Sequence, residues 1–346
     1  MYTGWGEPVR GAVSVALITD WCRGEPPTRF HPTVWMGAFL RRARAHAHGL
    51  ASARRDTSAA LRELVAGSVW VLLGLLLVCA ASLVLTGLLA WLFAAAAVRS
   101  VGLPGVPRHG AGAPLEPVAA LTHGVLLKPA LAARALLDAT RAVQQALTMP
   151  DEHAGLVEAR RQLAWHLVSR PTQDLRADEV AGAALASLAE NFSDSIVAPL
   201  LAYRVAGLPG AYAYRFVNTA DAMLGYRSTA LEWFGKPAAR LDDLCNLAPA
   251  RVAGTALLLA SALCKASPRG AWRCLRQDAR RTPSPNGGWP MAAMAGALGV
   301  VLDKRQTYTL NAAGRAPTAH DLIAGRRLVR MATLLVVVGI ELSYLS

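Results

Sequence analysis

The chain has 346 residues, of which 53% are hydrophobic and only 17% are charged, and its mean hydropathy is +0.31. Ordinary globular domains carry about 25% charged residues, so this balance excludes a typical soluble protein and favours a membrane protein. The net charge of +13 would suit a nucleic acid, but aromatic residues make up only 6% and no nucleic-acid-binding motif occurs. We therefore expect no nucleic-acid partner and interpret the arginines as membrane-flanking positive charge beside anionic lipid.

The N-terminal part of the chain contains a loop that leads into a basic helix. The loop carries Gly24-Glu25-Pro26 and then His31-Pro32-Thr33-Val34-Trp35-Met36-Gly37. A single histidine is usually structural, so His31 on its own is a weak candidate for a functional residue.

The first predicted membrane span lies at residues 64–98, which contain no charged side chain and are bracketed by Arg62 and Arg99. As a helix this segment would be about 50 Å long, against a hydrocarbon core of about 30 Å. We expect one span with a long interfacial extension. A tight hairpin at Thr86-Gly87 is the alternative, although it would leave two short arms.

The second predicted span lies at residues 329–345, where an apolar segment follows Arg326, Arg327 and Arg330. The arginines give this span a basic shoulder, which the positive-inside rule places in the cytoplasm. The two spans are the strongest transmembrane predictions in the chain.

Three other apolar runs, at residues 196–208, 252–264 and 289–302, are too short to cross a membrane cleanly. Each would form a helix of about 20 Å, shorter than the hydrocarbon core of about 30 Å. We expect short re-entrant or buried helices, which are places where membrane proteins often build polar sites. No internal repeat or linker divides the chain. The sequence therefore predicts one all-α, polytopic membrane domain over residues 1–346, with cytoplasmic loops and a site-bearing region at 190–300.

Polar side chains are concentrated between residues 190 and 251, which is unusual for so hydrophobic a chain. A regular helix would place Glu190 with Asp194, and Asn218 with Asp221, on shared faces, and a turn would present Asp242 together with Asp243. Converging carboxylates suit a hard cation such as Mg²⁺, which prefers oxygen ligands and bridges to phosphates. The candidate metal ligands are Glu190, Asp194, Asp221, Asp242 and Asp243.

Cations and amides in the same region suit phosphate or carboxylate groups. Ser284 and Asn286 resemble a capped helix start before residues 291–302, where free backbone N–H groups would bind an anion. An ordinary set of salt bridges and helix caps would explain the same residue types without a ligand. The candidate substrate-binding residues are Asn191, Asn218, Tyr226, Arg227, Lys236, Arg240, Arg251, Ser284 and Asn286.

Several common catalytic motifs are missing from the sequence. It has no GxxxxGK[ST] phosphate loop, no GxGxxG after a strand, no HExxH and no GxSxG. Hydride transfer, zinc-dependent hydrolysis and serine hydrolysis therefore lose support, and any nucleotide would be bound without a P-loop.

Six blocks, in the same order, make the chain resemble the CobD/CbiB family over nearly its full length. The blocks are His31-Pro32-x-Val34-Trp35-Met36-Gly37, Lys128-Pro129 with Ala133-Arg134-Ala135-Leu136, Ala189-Glu190-Asn191-x-Ser193-Asp194 with Val197-Ala198-Pro199-Leu200, Asn218-Thr219-x-Asp221-x-Met223-x-Gly225-Tyr226, Ala239-Arg240-Leu241-Asp242-Asp243-Leu244 with Pro249-Ala250-Arg251, and Ser284-Pro285-Asn286-x-Gly288-Trp289-Pro290 continuing to Gly299. Three loops depart from the family's pattern: Glu25 replaces an aspartate, Ser169-Arg170-Pro171-Thr172 lacks an acid, and Asp303-Lys304-Arg305 stands where Gly-Gly-Pro is expected.

The resemblance implies a bacterial inner-membrane, multi-pass enzyme of cobalamin biosynthesis, an adenosylcobinamide-phosphate synthase. Such an enzyme joins adenosylcobyric acid, a corrinoid, to (R)-1-aminopropan-2-ol phosphate through an amide bond. ATP with Mg²⁺ would activate the carboxylate as an acyl phosphate or adenylate. Catalytic roles would fall to Glu190, Asp194, Asp221 or His31, one of them as general base. Homo-oligomers or complexes with other cobalamin-assembly membrane enzymes are further expected partners, besides the lipid membrane.

Two alternatives use the same polar cluster differently. A membrane transporter would use it as a substrate pathway, but the spans show no two-fold internal symmetry. An AmpE-type membrane signalling protein is the second alternative. The intact blocks at 218–226 and 284–299 favour the synthase over it.

Overall fold

The computed structural model describes residues 7–50, 56–101, 115–226 and 228–345, and within them the chain is almost entirely helical. The predicted all-α class is confirmed. The elements are, in chain order, α1 (Ala12–Arg23), α2 (Pro32–Leu50), α3 (Thr57–Val101), α4 (Leu115–Leu127), α5 (Ala133–Leu147), α6 (Glu152–His166), α7 (Ala177–Phe192), α8 (Ala198–Leu224), α9 (Lys236–Cys245), α10 (Leu247–Leu263), α11 (Pro268–Asp278), α12 (Gly288–Leu298), β1 (Leu302–Lys304), β2 (Tyr308–Leu310) and α13 (Ala319–Leu342).

Contacts group the residues into two compact units, each assembled from segments that are distant in sequence. The first unit comprises Met1–Leu131, Pro199–Cys245 and Tyr344–Ser346. The second unit comprises Ala132–Ala198 and Asn246–Ser343. The single domain expected over residues 1–346 stays a prediction.

Helix α3 contains the first predicted span, and it runs as one helix through Thr86 and Gly87 rather than as a hairpin. Its stretch Thr57–Phe93 is long and apolar enough to cross a membrane, and only 22% of its most apolar window is buried. Leu76 and Val84, for example, are 66% and 70% exposed. An outward-facing apolar surface of this length is what a lipid-embedded helix presents.

The apolar run at residues 196–208 is longer in the structure than the sequence predicts. It belongs to the helical stretch Ala177–Leu224, which also meets the length and composition requirements of a membrane span. Helix α8 breaks at Ala206 and Gly207, where the backbone leaves helical geometry. Bent helix pairs at Glu116–Ala130 with Ala133–Leu147, and at Lys236–Cys245 with Leu247–Leu263, would raise the number of candidate spans among the described residues from two to four. The span predicted at 329–345 is not one of these and stays a prediction.

In the first unit, two glycines of α3 allow other elements to come very close. A Cβ added to Gly74 would lie 1.9 Å from Cζ of Phe216, and one added to Gly67 would lie 2.0 Å from the carbonyl oxygen of Phe234. Phe216 and Phe234 belong to the buried core of this unit, with Val71 of α3 between the two glycines. Small residues at such contacts are how membrane helices pack tightly.

In the second unit, α11 and α12 cross at a pair of glycines. A Cβ on Gly270 would lie 2.3 Å from the carbonyl oxygen of Gly296, and a Cβ on Gly296 would lie 2.2 Å from that of Gly270. The crossing is fixed at the start of α11, where the Ser267 backbone N–H donates to the Ala297 carbonyl (2.9 Å) and the Ser267 side chain caps Gly270 N–H (3.0 Å). This close approach holds α12 in place, and most of its residues are buried.

Glycine packing along α3 gives a direct test of the first unit. We expect Gly74→Ala to lower the free energy of unfolding by about 1–3 kcal/mol, because the new methyl group overlaps the Phe216 ring. The measurement is the thermal unfolding midpoint of the purified chain in detergent, followed by tryptophan fluorescence. Gly87→Ala is the matched control, since a Cβ there meets no atom within 4 Å and alanine favours the helix. Equal midpoints for the two variants would contradict this packing.

Candidate functional site

The predicted site residues are distributed over both units. The second unit holds the candidates Glu190, Asn191, Asp194, Arg251, Ser284 and Asn286. The first unit holds His31, Asn218, Asp221, Tyr226, Lys236, Arg240, Asp242 and Asp243, while Arg227 lies outside the described residues. Among the residues that the structure describes, no three histidine, cysteine, aspartate or glutamate side chains form a group that could hold a metal ion. The five-carboxylate metal set stays a prediction.

Glu190 lies in the last turn of α7, and Asp194 lies in a π-helical turn, Ser193–Val197, that follows directly. The π turn is closed by the Ala198 N–H, which donates to the Ser193 carbonyl five residues earlier. Glu190 and Asp194 therefore lie on either side of the change from α-helical to π-helical geometry, and their shared face stays a prediction. Single π turns inside α-helices occur frequently at functional sites.

One backbone carbonyl in the π turn, that of Ser195, lacks its usual donor four residues later in the helix. Pro199 has no N–H, so it cannot donate to the Ser195 carbonyl four residues before it. That carbonyl instead accepts from the N–H of Ala132, the residue before α5, at 3.1 Å. The Ala198-Pro199 pair thus ties the start of α5 to the π turn that carries Asp194.

A cavity of about 170 Å³ opens beside Glu190 in the second unit. It lies between α7, the loop that follows α6, and the β1–β2 hairpin. Its lining includes two carboxylates, Glu190 and Asp303, and two cations, Arg170 and Lys304. The complete lining is Leu167, Val168, Ser169, Arg170, Ala183, Ala186, Ser187, Glu190, Asn191, Leu302, Asp303, Lys304 and Tyr308.

Tyr308 contributes a hydroxyl group to the wall of this cavity. Burial and, to a smaller extent, the negative charge of Glu190 raise the pKa of Tyr308 to about 12, against the opposing effect of Arg170. The phenol is therefore protonated at neutral pH, and its Oη donates to Sδ of Met291 at 3.4 Å. Asn191 lies alongside, donating from Nδ2 to the Ser187 carbonyl (3.0 Å) and to Ser187 Oγ (3.1 Å).

Sequence reasoning did not select Arg170, Lys304 or Tyr308 as site residues. Two of them lie in the loops that depart from the family's pattern, around residues 169–172 and 303–305. The available signal was that both loops stand at positions where the family has a characteristic pattern and this chain carries different residues. The structure brings both loops to the cavity beside Glu190.

The capping role predicted for Ser284 and Asn286 is wrong. Helix α12 has Gly287 as its N-cap, and no side chain caps it. Asn286 is buried, and its Oδ1 accepts from Nη1 of Arg251 at 3.2 Å. The amide oxygen is therefore used to orient a cation rather than to cap the helix.

Arg251 is positioned by contacts with two further residues. Its Nη1 also donates to the Leu247 carbonyl at 2.6 Å, and its guanidinium lies over the Trp289 ring, 4.8 Å from the centroid. Glu190 approaches the same helix start, because a Cβ on Gly287 would lie 2.9 Å from Glu190 Oε1. Arg251, Asn286 and Glu190 thus converge on the start of α12.

In the first unit, α8 and α9 bring together another part of the predicted cluster. Asn218 donates from Nδ2 to Oδ1 of Asp242 at 3.4 Å. Asp242 and Asp243 both lie within α9, so the expected turn that presents both carboxylates is not formed. The Asp221 side chain folds over the end of α8, where a Cβ on Gly225 would lie 2.1 Å from Asp221 Oδ1.

The predicted phosphate-binding cations of the first unit are held loosely. Lys236 forms an ion pair with Glu232 at 3.6 Å and lies over the Trp233 ring, 3.2 Å from its centroid. Arg240 and Tyr226 are exposed. An ion pair this long and this accessible to solvent contributes little stability, and the phosphate-binding role of Lys236 stays a prediction.

A buried ion cluster near the N-terminus was missed by sequence reasoning. Lys128 Nζ lies 3.3 Å from Asp20 Oδ1 and 2.8 Å from Glu25 Oε2, and His31 Nε2 lies 3.0 Å from the same Glu25 oxygen. The side chain of Asp20 is fully buried and that of Lys128 is 5% exposed. No spacing rule predicts a pair between residues about a hundred positions apart, although His31 and Lys128 each lie in a family block and Glu25 lies in a loop that departs from the family's pattern.

The cluster fixes the charge of Glu25 and the orientation of His31. Burial would raise the pKa of the Glu25 carboxyl, but hydrogen bonds to His31 and Lys128 outweigh it and hold that pKa below its usual value. The other ring nitrogen of His31, Nδ1, lies 2.7 Å from Thr33 Oγ1. Both ring nitrogens are therefore engaged, and the general-base role of His31 stays a prediction.

A double-mutant cycle tests this cluster. We expect Lys128→Met to lower the free energy of unfolding by about 3–5 kcal/mol, because it leaves buried Asp20 without its cation. Adding Asp20→Asn should recover about 1–3 kcal/mol of that loss, since the two residues interact directly. The measurement is the unfolding midpoint in detergent.

Lys265→Met removes an exposed lysine and serves as the control. Additive effects of the Asp20 and Lys128 changes would rule out the ion pair. The contribution of Glu25 should be present above pH 4.5 and be lost as the pH falls through its lowered pKa.

Comparison with known proteins places the whole chain in one group. The family model described as "CobD/Cbib protein" matches residues 13–334. The chain is 34% identical over 296 residues to the "Probable cobalamin biosynthesis protein CobD" of Methanothermobacter thermautotrophicus, covering 86% of this chain and 84% of that protein. It is 34% identical over 327 residues to the "Cobalamin biosynthesis protein CobD" of Brucella suis, covering 90% of each. No solved structure matches the chain.

Proposed function

The chain belongs to the CobD/CbiB family, and from this membership we propose that it joins adenosylcobyric acid to (R)-1-aminopropan-2-ol phosphate, giving adenosylcobinamide phosphate. The relatives' names assign them to cobalamin biosynthesis, and the amide-forming step is the proposal made for this chain. We further propose that it works in the bacterial inner membrane as a multi-pass protein, alone or with other cobalamin-assembly enzymes.

The observation that supports the proposal best is the mixed charge of the cavity beside Glu190. Aminopropanol phosphate is a small zwitterion with an ammonium group and a phosphate group. The cavity offers Arg170 and Lys304 for the phosphate, and Glu190 and Asp303 for the ammonium group. Its volume of about 170 Å³ suits a three-carbon phosphate ester, whereas a corrinoid ring is far too large to enter it.

The same arrangement suits the chemistry of amide formation. The ammonium group must lose a proton before its nitrogen lone pair can attack a carboxyl carbon, and a carboxylate such as Glu190 can accept that proton. The new C–N bond then forms as the activating group leaves with the electrons of its bond to carbon. Protonated Tyr308 lies in the cavity wall, and its hydroxyl, which donates to Met291 Sδ, would turn from that weak sulfur acceptor to an anionic oxygen of the bound substrate.

We propose that ATP supplies the carboxylate activation and that Mg²⁺ accompanies its phosphates. Mg²⁺ is usually bound by one or two carboxylates together with substrate phosphates and water, rather than by a cage of protein ligands. The carboxylates that fit this requirement are Asp242, which accepts from the Asn218 amide, in one unit, and Glu190 and Asp194 in the other. Arg251, Lys236 and Arg240 are the proposed anion-binding residues.

The reaction itself is tested with purified full-length chain in nanodiscs, supplied with adenosylcobyric acid and aminopropanol phosphate, with and without ATP and Mg²⁺. Product is detected by mass. We expect conversion only in the complete mixture and its loss in Asp194→Asn and Asp221→Asn. Asp151→Asn is the matched control, because asparagine also caps a helix well and Asp151 caps α6. Full activity of both site variants would refute the carboxylate roles.

The cavity assignment predicts different effects for its cation and its carboxylate. Arg170→Gln should raise KM for aminopropanol phosphate about tenfold to a hundredfold, with little change in kcat. A factor of this size corresponds to the loss of one charge-assisted hydrogen bond. Glu190→Gln should lower kcat, and its residual rate should rise with pH as more of the free amine is neutral. Arg269→Gln, at an exposed position, is the control for loss of charge. A Glu190→Gln rate that does not change with pH would exclude a base role for Glu190.

A further inference from the structure

Helix α13 presents one continuous stripe that is cationic at one end and apolar along the rest. Residues four apart lie on the same helical face, and Arg326, Arg330, Leu334, Val338 and Leu342 follow that spacing. Arg330 is exposed, and the three apolar side chains are 41%, 54% and 57% exposed in the same order. The stripe therefore changes from positive to apolar along its length, and it winds around the helix by about 40° at each four-residue step.

A third arginine joins the cationic end from α5. The guanidinium of Arg326 donates to Oε1 of Gln144 at 3.0 Å, which places it against the α5 surface that also carries Arg141. Partial burial lowers the pKa of Arg326, and the positive charges of Arg330 and Arg141 lower it further. Three arginines thus lie close enough to repel one another.

The neighbouring acid does not neutralise this group. The negative charge of Asp138 on α5 raises the pKa of Arg326 and so opposes its lowering. However, Oδ2 of Asp138 also accepts from Nε of Arg134 at 3.4 Å. Asp138 is therefore shared between Arg134 and the clustered arginines. Such an excess of positive charge is stabilised by an anionic partner.

The dimensions of the stripe match one leaflet of a membrane. Arg330 and Leu342 are twelve residues apart, or about 18 Å along a helix, and half of a hydrocarbon core is about 15 Å. A phosphate group at the arginines would thus continue into an acyl chain along Leu334, Val338 and Leu342. A free phosphate ion would use the charges and leave the apolar part of the stripe without a role.

We propose that α5 and α13 form a binding site for an anionic phospholipid. Its headgroup phosphate contacts Arg141, Arg326 and Arg330, and one acyl chain lies along the exposed apolar side chains of α13. The site is separate from the cavity beside Glu190 and serves to anchor the second unit at the membrane surface.

The test measures lipid affinity directly. The full-length chain in detergent is titrated with phosphatidylglycerol, with phosphatidylcholine of the same acyl chains, and with inorganic phosphate, and bound lipid is counted by native mass spectrometry. We expect phosphatidylglycerol to bind well and phosphatidylcholine to bind at least tenfold more weakly. Each arginine should increase the affinity for phosphatidylglycerol about fivefold. Replacing all three by glutamine should therefore weaken phosphatidylglycerol binding roughly a hundredfold.

Two sets of variants keep the result interpretable. The control replaces exposed Arg269, Arg273 and Arg280 by glutamine, an identical loss of charge elsewhere in the second unit, and should keep native affinity. If the triple variant does not fold, the exposed single change Arg330→Gln carries the test with an expected fivefold loss. Val338→Ser should weaken the binding of both lipids, because it makes the apolar part of the stripe polar. Equal binding of the two lipids, an equal loss in the control, or complete displacement of phosphatidylglycerol by inorganic phosphate would each overturn the proposal.

Discussion

A helix in a lipid environment has to satisfy its backbone hydrogen bonds within the protein, because lipid offers no replacement donors or acceptors. Interruptions of a helix are therefore costly, and this chain places them where polar residues are needed. In the π turn of residues 193–197, Pro199 has no N–H to donate to the Ser195 carbonyl, and the Ala132 N–H donates to that carbonyl instead. The interruption is stabilised by a specific partner, and it carries Asp194 one turn beyond Glu190.

The same constraint governs the charges. A buried ion without a partner costs several kcal/mol, and Asp20 meets this requirement through Lys128, while Glu25 links that pair to His31. Where charged side chains line open space, as in the cavity beside Glu190 and at the arginines of α5 and α13, a ligand has room to enter. Charged clusters that are buried and paired thus stabilise the fold. Charged clusters that face open space, whether they carry both signs of charge or one, are suited to binding a ligand.

The sequence predicts the helical class and the long helix α3, because these depend on composition and spacing. It does not predict the geometry of the blocks. Asp242 and Asp243 lie in a helix rather than a turn because α9 begins at Lys236 and continues to Cys245. Asn286 binds Arg251 rather than capping α12, since Gly287 already occupies the cap position. An ion pair between residues more than a hundred positions apart, such as Asp20 with Lys128, leaves no periodic pattern in the sequence from which it could be predicted.

The π turn has a consequence for how this chain can vary. Five residues separate the bonded groups of Ser193 and Ala198, one more than in an α-helix. Removing one residue would restore an ordinary helical turn without breaking the chain, yet it would shift the phase of the side chains on either side by about 100°. The number of residues between Glu190 and Pro199 is therefore as constrained as their identity, and substitution is a milder change here than a one-residue deletion.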